Sequence, residues 1–182
     1  MQNSQADVAR EETLTTSRVY EGRVINLRLD QVVVGGVQRT REVVEHPGAA
    51  VIIAQPDPEH MVLVRQWRHA AGQRMWEVPA GTLDPGEAAL TAAARELREE
   101  TGYTAGQMVP LFAGYSAPGF SAELLHFFHA TKLVAGPSAP DEGEELLMQI
   151  FSLGEMQEAL SRGELPDAKT QLALFWALSR LS

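Results

Sequence analysis

The sequence predicts an α/β protein, an α/β/α sandwich built on a mixed sheet, preceded by a small N-terminal antiparallel β subdomain. Short β-branched runs crowd residues 17–45 on either side of a Gly35-Gly36 pair. One strongly patterned helix follows Gly81 and stands between two groups of strand-like runs. Two more helical stretches close the chain. The order β-rich, helix, β-rich, helices suits a mixed sheet held between helical layers.

Size and composition bound what such a fold can do. A chain of 182 residues and 19.9 kDa fits one compact domain with a small appendage. Its 45% hydrophobic and 21% charged residues are ordinary for a globular protein. The net charge of -9 argues against sequence-independent nucleic-acid binding, which needs clustered Lys and Arg. An anionic substrate therefore needs a metal ion or a local arginine patch. With no cysteine, disulfides and thiolate metal sites are excluded. No apolar run reaches a membrane span, and the N-terminus lacks a basic and an apolar signal region. The expected location is the cytoplasm, with no membrane partner.

Residues 1–16 are polar and aperiodic and read as a mobile tail. Residues 17–45 read as strands, with Gly35-Gly36 as a hairpin turn that needs positive φ. The main domain is expected over residues 46–182. AAVIIA at Ala49–Ala54 is a continuous apolar run, as in a strand covered on both faces. MVLVRQWRH is a second strand, ending in Arg65, Trp67 and Arg68. Guanidiniums there can pair with phosphate oxygens and the indole can stack on a base, although solvation and packing are the plainer roles. RMWEVP delivers the chain to Ala80 and Gly81, where a glycine lets backbone approach a ligand closely. After the helix, Val109–Tyr115 and Glu123–Leu133 read as strands flanking SAPGFSAE. His126 and His129, three apart on a strand, point to opposite faces and read as structural. GPSAPDEGEE is an acidic loop, LLMQIFSL a strand, and helices are expected near 154–162 and 168–181. Leu172, Phe175, Trp176 and Leu178 are the expected packing residues of the last helix.

The helix after Gly81 carries the chemistry. Asp84, Pro85 and Glu87 fit an N-cap, first-turn proline and capping-box residue, so the helix is expected to start there. Leu90, Ala93, Ala94 and Leu97 fall on one face; Arg95, Glu96, Glu99 and Glu100 fall beside and opposite it. Like-charge pairs at i,i+3 and i,i+4 cost about 0.2–0.5 kcal/mol each, and a carboxylate near a helix C-terminus about 0.3–1 kcal/mol more. Arg95 cannot neutralise all three glutamates. What is left is an all-oxygen set suited to Mg²⁺ or Mn²⁺.

Gly81–Tyr103 matches Gly-x5-Glu-x7-Arg-Glu-U-x-Glu-Glu-x-Gly-U, where U is apolar, and so resembles the signature of the Nudix hydrolases. Tyr103 departs from the usual aliphatic residue at a packing position. VRQWRHA, MWEVPAGTLDPGE, the proline of YSAPGFSAE and the acidic DEGEE loop resemble the ADP-ribose pyrophosphatase branch, from about Arg18 to Leu181. The resemblance implies the Nudix fold and metal-dependent hydrolysis of ADP-ribose to AMP and ribose 5-phosphate. Another nucleoside diphosphate sugar or dinucleotide, such as GDP-mannose, NADH or a diadenosine polyphosphate, is the alternative, and a non-catalytic metabolite-binding domain stands behind both. It further implies Glu96 and Glu100 as metal ligands, Glu99 as ligand or orienter, Arg95 as their brace, and the Ala80 carbonyl in the metal shell. The base maps onto Glu142, with Glu144 next. Arg65, Trp67, Arg68 and Gly81 are the expected substrate contacts. The N-terminal sheet is expected to pair with its twin in a homodimer.

Overall fold

The computed structural model describes residue 8, residues 10–138 and residues 145–181. The strands are β1 (Glu12–Glu21), β2 (Asn26–Val34), β3 (Val37–Glu45), β4 (Ala49–Ala54), β5 (His60–Arg68), β6 (Gln73–Glu77), β7 (Ala80–Thr82), β8 (Tyr103–Tyr115), β9 (Leu124–Ala135) and β10 (Leu147–Ser152). The helices are α1 (Ala89–Thr101), α2 (Leu153–Ser161) and α3 (Ala168–Leu178). No helix among the described residues is long and apolar enough to cross a membrane. Two compact units emerge: one runs to Pro47 and takes in Tyr115–Leu124, the other holds Gly48–Gly114 and the chain from Leu125 onward.

The first unit is an antiparallel sheet in the order β1-β2-β3. Val34 pairs with Val37 across Gly35 and Gly36, whose φ values of 57° and 79° give the primed turn that matches strand twist. The first strand starts at Glu12, inside the stretch expected to be a tail: Thr13, Thr15 and Thr16 pair with β2, as their β-branched side chains favour. Arg28 pairs with Asp30 on its own strand at 3.0 Å and crosses to Glu45 of β3 at 2.7 Å. The SAPGFSAE segment extends it, with Val44 bonded both ways to Phe120 and Ala122.

In the second unit β4 is the strand that fixes both layers. It runs antiparallel to β7 and parallel to β9, in the sheet order β7-β4-β9-β8, so the sheet is mixed. All six β4 residues are buried. Ala49, Val51 and Ile53 pack with Leu153 and Met156 of α2 and with Ala173, Leu174 and Ala177 of α3. Ala50, Ile52 and Ala54 pack with Ala92, Ala93 and Leu97 of α1. A two-residue period between helical layers explains the continuous apolar run, and the result is an α/β/α sandwich. A further sheet, β10-β5-β6, shares these cores through Met61, Val62 and Leu63.

Three local expectations need correction. Helix α1 starts at Ala89 with Ala88 as a cap that offers no side-chain bond, five residues after Asp84. Asp84–Glu87 is a turn instead: the Glu87 N–H donates to the Asp84 carbonyl at 2.9 Å, and Gly86 has φ 78°. Pro-Gly at the two central positions is the type II turn pair, and positive φ at Gly86 stops a helix from running through it. The buried face of α1 is made by Ala92, Ala93, Leu97 and Glu100, and Leu90 and Ala94 are exposed. On α3 the buried residues are Thr170, Ala173, Leu174 and Ala177, and the expected Leu172 and Phe175 are exposed.

Candidate active site

The site is assembled where β7, the Asp84–Glu87 turn and α1 meet. Gly102 closes α1 in the left-handed conformation (φ 74°) and bonds back to the Arg98 carbonyl, so the glutamates occupy the final two turns. Arg95 organises the cluster. Its Nε and Nη2 reach the two oxygens of Glu87 at 3.1 and 2.9 Å, and Nη2 also donates to the Thr82 carbonyl at 3.2 Å. Its Nη1 donates to Glu96 at 2.7 Å and to Glu99 at 3.2 Å. These five contacts match the five N–H donors of a guanidinium. Hydrogen bonding to Glu87, ahead of Glu96 and Glu99, raises the Arg95 pKa, and the same bond holds the Glu87 carboxyl below its ordinary range. Glu87 also accepts from the Asp84 N–H at 3.1 Å. It therefore locks the turn to the helix that follows.

Glu96 and Glu100 are held by the strand side. A Cβ on Gly81 would lie 2.0 Å from the Glu96 carboxyl carbon. Only a residue without a side chain lets the carboxylate sit against β7 there. Glu100 lies on the buried face, three residues past Leu97 and 7% exposed, and accepts from the Ala80 N–H at 3.1 Å. This corrects the expected placement of Glu100 on the charged arc. Glu99 receives a bond from Arg98 at 3.2 Å as well as from Arg95. Glu87, Glu96, Glu99 and Glu100 set against Arg95 and Arg98 leave two net negative charges in a partly buried cluster.

The other expected site residues are more scattered. Ala80 and Gly81 pair with Val51 and Ala50, beside the cluster. Arg65 is exposed, with its guanidinium 5.8 Å from the centre of the Trp76 ring. Trp67 is 53% exposed and carries Arg74 over its ring at 5.7 Å. Arg68 is engaged by Glu77, through Nε at 2.7 Å and Nη2 at 2.8 Å. Glu142 and Glu144 lie outside the described residues.

Glu77 is the polar centre that the sequence reading missed. Its side chain is 1% exposed and is shared between Arg68 and Lys169, the latter at 3.1 Å. Lys169 also binds Asp167 at 2.7 Å, and Asp167 caps α3 by accepting from Thr170. The Val78 N–H donates to the Thr170 hydroxyl at 2.9 Å. This network pins β5 and β6 to the start of α3, immediately before the chain enters the site. A lone glutamate inside the apolar run MWEVP was its signal, because a carboxylate there must find cations.

The donor chemistry fits a hard divalent cation. All the side-chain donors are oxygens, Glu100 is buried, and the bare Cα of Gly81 makes a cradle for Glu96. Among the described residues no three His, Cys, Asp or Glu side chains converge as a ready cage. Mg²⁺ does not require one, since it keeps several waters and binds through one or two carboxylates plus substrate phosphates.

Comparison with known proteins points to one family. Residues 44–172 match the family model described as NUDIX domain. The chain is 42% identical over 158 residues to an ADP-ribose pyrophosphatase of Mycobacterium tuberculosis, covering 85% of this chain and 76% of that protein. It is 35% identical over 151 residues to a GDP-mannose pyrophosphatase of Shigella flexneri, covering 76% and 77%. A crystal structure of an ADP compounds hydrolase superposes with a TM-score of 0.84 over 97% of each chain at 24% identity, a likeness of fold.

Proposed function

The chain belongs to the NUDIX family and performs Nudix-type hydrolysis of a nucleoside-diphosphate-linked substrate; within that class, we propose that it cleaves ADP-ribose to AMP and ribose 5-phosphate. The observation that carries this reading is the likeness to an ADP-ribose pyrophosphatase, which is higher in identity and longer than the likeness to a GDP-mannose pyrophosphatase. GDP-mannose is the second reading, on the strength of that latter relative. The glutamate cluster serves both, since it addresses phosphates and metal and leaves the nucleoside to other residues.

In this reading Glu96 and Glu100 hold Mg²⁺ or Mn²⁺, with Glu99 and the Ala80 carbonyl as further oxygens. When bound, the ion supplies neutralising charge to the diphosphate oxygens. The reaction joins a water oxygen to phosphorus and breaks a bond of the diphosphate bridge, while a carboxylate takes the water's proton. Glu142, with Glu144 next, is assigned that proton. Arg95 keeps Glu96 and Glu99 in place, and Glu87 keeps Arg95 in place. Arg65 and Trp67, exposed at the end of β5, are available to a phosphate and a base. Arg68 contributes through Glu77, bracing the strand that leads into the site.

A homodimer built through the N-terminal sheet and a cytoplasmic location belong to the same reading. Leu14, Val19 and Tyr20 of β1 are exposed apolar side chains that a second copy would cover. The deciding experiment incubates the protein with ADP-ribose and Mg²⁺ and separates the products by ion-exchange chromatography. The proposal expects AMP and ribose 5-phosphate in equal amounts. Intact ADP-ribose beside hydrolysed GDP-mannose would move the assignment to the second reading.

A further inference from the structure

A cavity of about 670 Å³ in the second unit lies on the α3 side of the sheet, where β4 runs out beside β9. Gln55, His129, Thr131, Lys132, Trp176 and Arg180 supply its chemistry. The α1 cluster packs on the other face of the same sheet, so the reaction described above makes no use of it.

Its wall is built by a departure from strand geometry. Alternation along β9 sends Leu125 and Phe127 toward α3, and Phe128 and Ala130 toward α1. Thr131 and Lys132 should then face opposite ways, yet both line the cavity. Lys132 has φ 54° and is the one non-glycine residue among those described with positive φ. A long side chain seldom adopts that conformation, and such outliers gather at ligand sites. The neighbouring strand accommodates it: a Cβ on Gly106 would lie 2.9 Å from the Lys132 Cβ and 3.1 Å from its carbonyl oxygen. Two positions in separate strands thus cooperate to aim one ammonium group.

The remaining wall is arranged around Trp176. His129 stands edge-on to the indole at 4.8 Å, and its Nε2 is 2.9 Å from the Gln55 side-chain oxygen. Gln55 in turn donates to the Pro58 carbonyl, so Nε2 carries the proton of a neutral imidazole. Burial, then the Arg180 charge, lowers the His129 pKa and keeps it neutral. The Arg180 guanidinium sits 5.4 Å from the Trp176 ring centre. Asp57, at the rim, is already bonded to His60 at 2.8 Å. Among the described residues neither Lys132 nor Arg180 has an acidic partner within ion-pair distance. Among the described residues, then, two cations without an acidic partner line one apolar-floored cavity, in a chain of net charge -9.

We propose that this cavity binds a small amphipathic anion: a planar or apolar body lying against Trp176 and Leu181, with one phosphate or carboxylate held between Lys132 and Arg180. Charge complementarity selects the anion, and the apolar floor selects the body. The site is separate from the glutamate cluster and stands whichever diphosphate that cluster hydrolyses.

The test follows the indole N–H resonance of Trp176, assigned with Trp176→Phe, in ¹⁵N-labelled protein without added metal. AMP and 2-naphthoate are titrated as phosphate and carboxylate probes, and adenosine serves as the uncharged control. The proposal expects a saturable shift with at least one anion and none with adenosine. Lys132→Asn, which tolerates positive φ, and Arg180→Gln should each weaken binding at least tenfold while hydrolysis stays at the wild-type rate. AMP alone would mark a nucleotide site, and 2-naphthoate alone a carboxylate site. Either anion binding unchanged in both variants, adenosine shifting the resonance equally, or no saturable shift with either anion at millimolar concentration would overturn it.

Discussion

Replacing Gly81 with alanine puts one methyl group where the Glu96 carboxylate now lies. The added carbon would stand 2.0 Å from the carboxyl carbon and from one of its oxygens. To regain ordinary contact at 3.4 Å, the carboxylate must retreat by about 1.4 Å. Gly81 is not in a positive-φ conformation and sits in a short strand paired with Ala50, so alanine is free of backbone strain there. The damage should therefore fall on the site, with the fold kept. Displacement of a positioned group by 1 Å can lower a rate about a hundredfold, or about 2.7 kcal/mol in the barrier. Steady-state kinetics with the nucleoside diphosphate substrate, alongside a thermal melt, measure both effects. The expected outcome is kcat down by about two orders of magnitude, KM changed by only a few fold, and a melting temperature within a few degrees of wild type. Full turnover in Gly81→Ala would refute the reasoning that Glu96 must rest against β7. Loss of folding would show instead that Gly81 serves packing.

Glu100→Gln keeps an acceptor for the Ala80 N–H, so the variant should fold while losing most turnover; a circular dichroism melt and a kcat measurement check the two halves. Arg95→Lys keeps the charge but cannot reach Glu87, Glu96, Glu99 and Thr82 together, and kcat should fall about 10–100-fold, read by steady-state kinetics. The acid limb of stability should change as well. The folded Glu87 pKa lies below its unfolded value near 4.5, so its contribution is complete above that pH and is lost as pH falls through the depressed value. Arg95→Gln removes the cause, and melts taken from pH 6 to pH 3 should show a shallower loss than wild type, measured relative to pH 6. Glu77→Gln leaves Arg68 and Lys169 facing a buried neutral group, and urea unfolding should register a loss of about 3 kcal/mol, since Arg68 stays partly in water.

Much of this arrangement was legible in the residues because it follows from periodicity and turn chemistry. Ala49–Ala54 read as a strand covered on both faces, and Gly35-Gly36 as a hairpin turn, and both stand in the structure. The glutamates of α1 were conspicuous because they break helix electrostatics. The start of α1 was misread because Asp84 and Glu87 suit a capping box and a turn equally well. Gly86 decides between them through its φ, which no hydrophobic pattern encodes. Glu100 faces inward because, three residues past Leu97, it lies only about 60° from it around the helix. Glu77 was overlooked because its partners, Arg68 and Lys169, lie 9 and 92 residues away. Lys132 gave no signal at all in sequence, since its unusual backbone depends on Gly106 in a neighbouring strand.

The most direct test of the central claim compares kcat/KM for ADP-ribose and GDP-mannose with Mg²⁺, in the wild type and in Glu100→Gln. The account predicts ADP-ribose preferred by at least tenfold, with both activities falling together in the variant because one cluster serves both. A preference for GDP-mannose would contradict the substrate assignment, and undiminished hydrolysis in Glu100→Gln would contradict the assignment of the site itself.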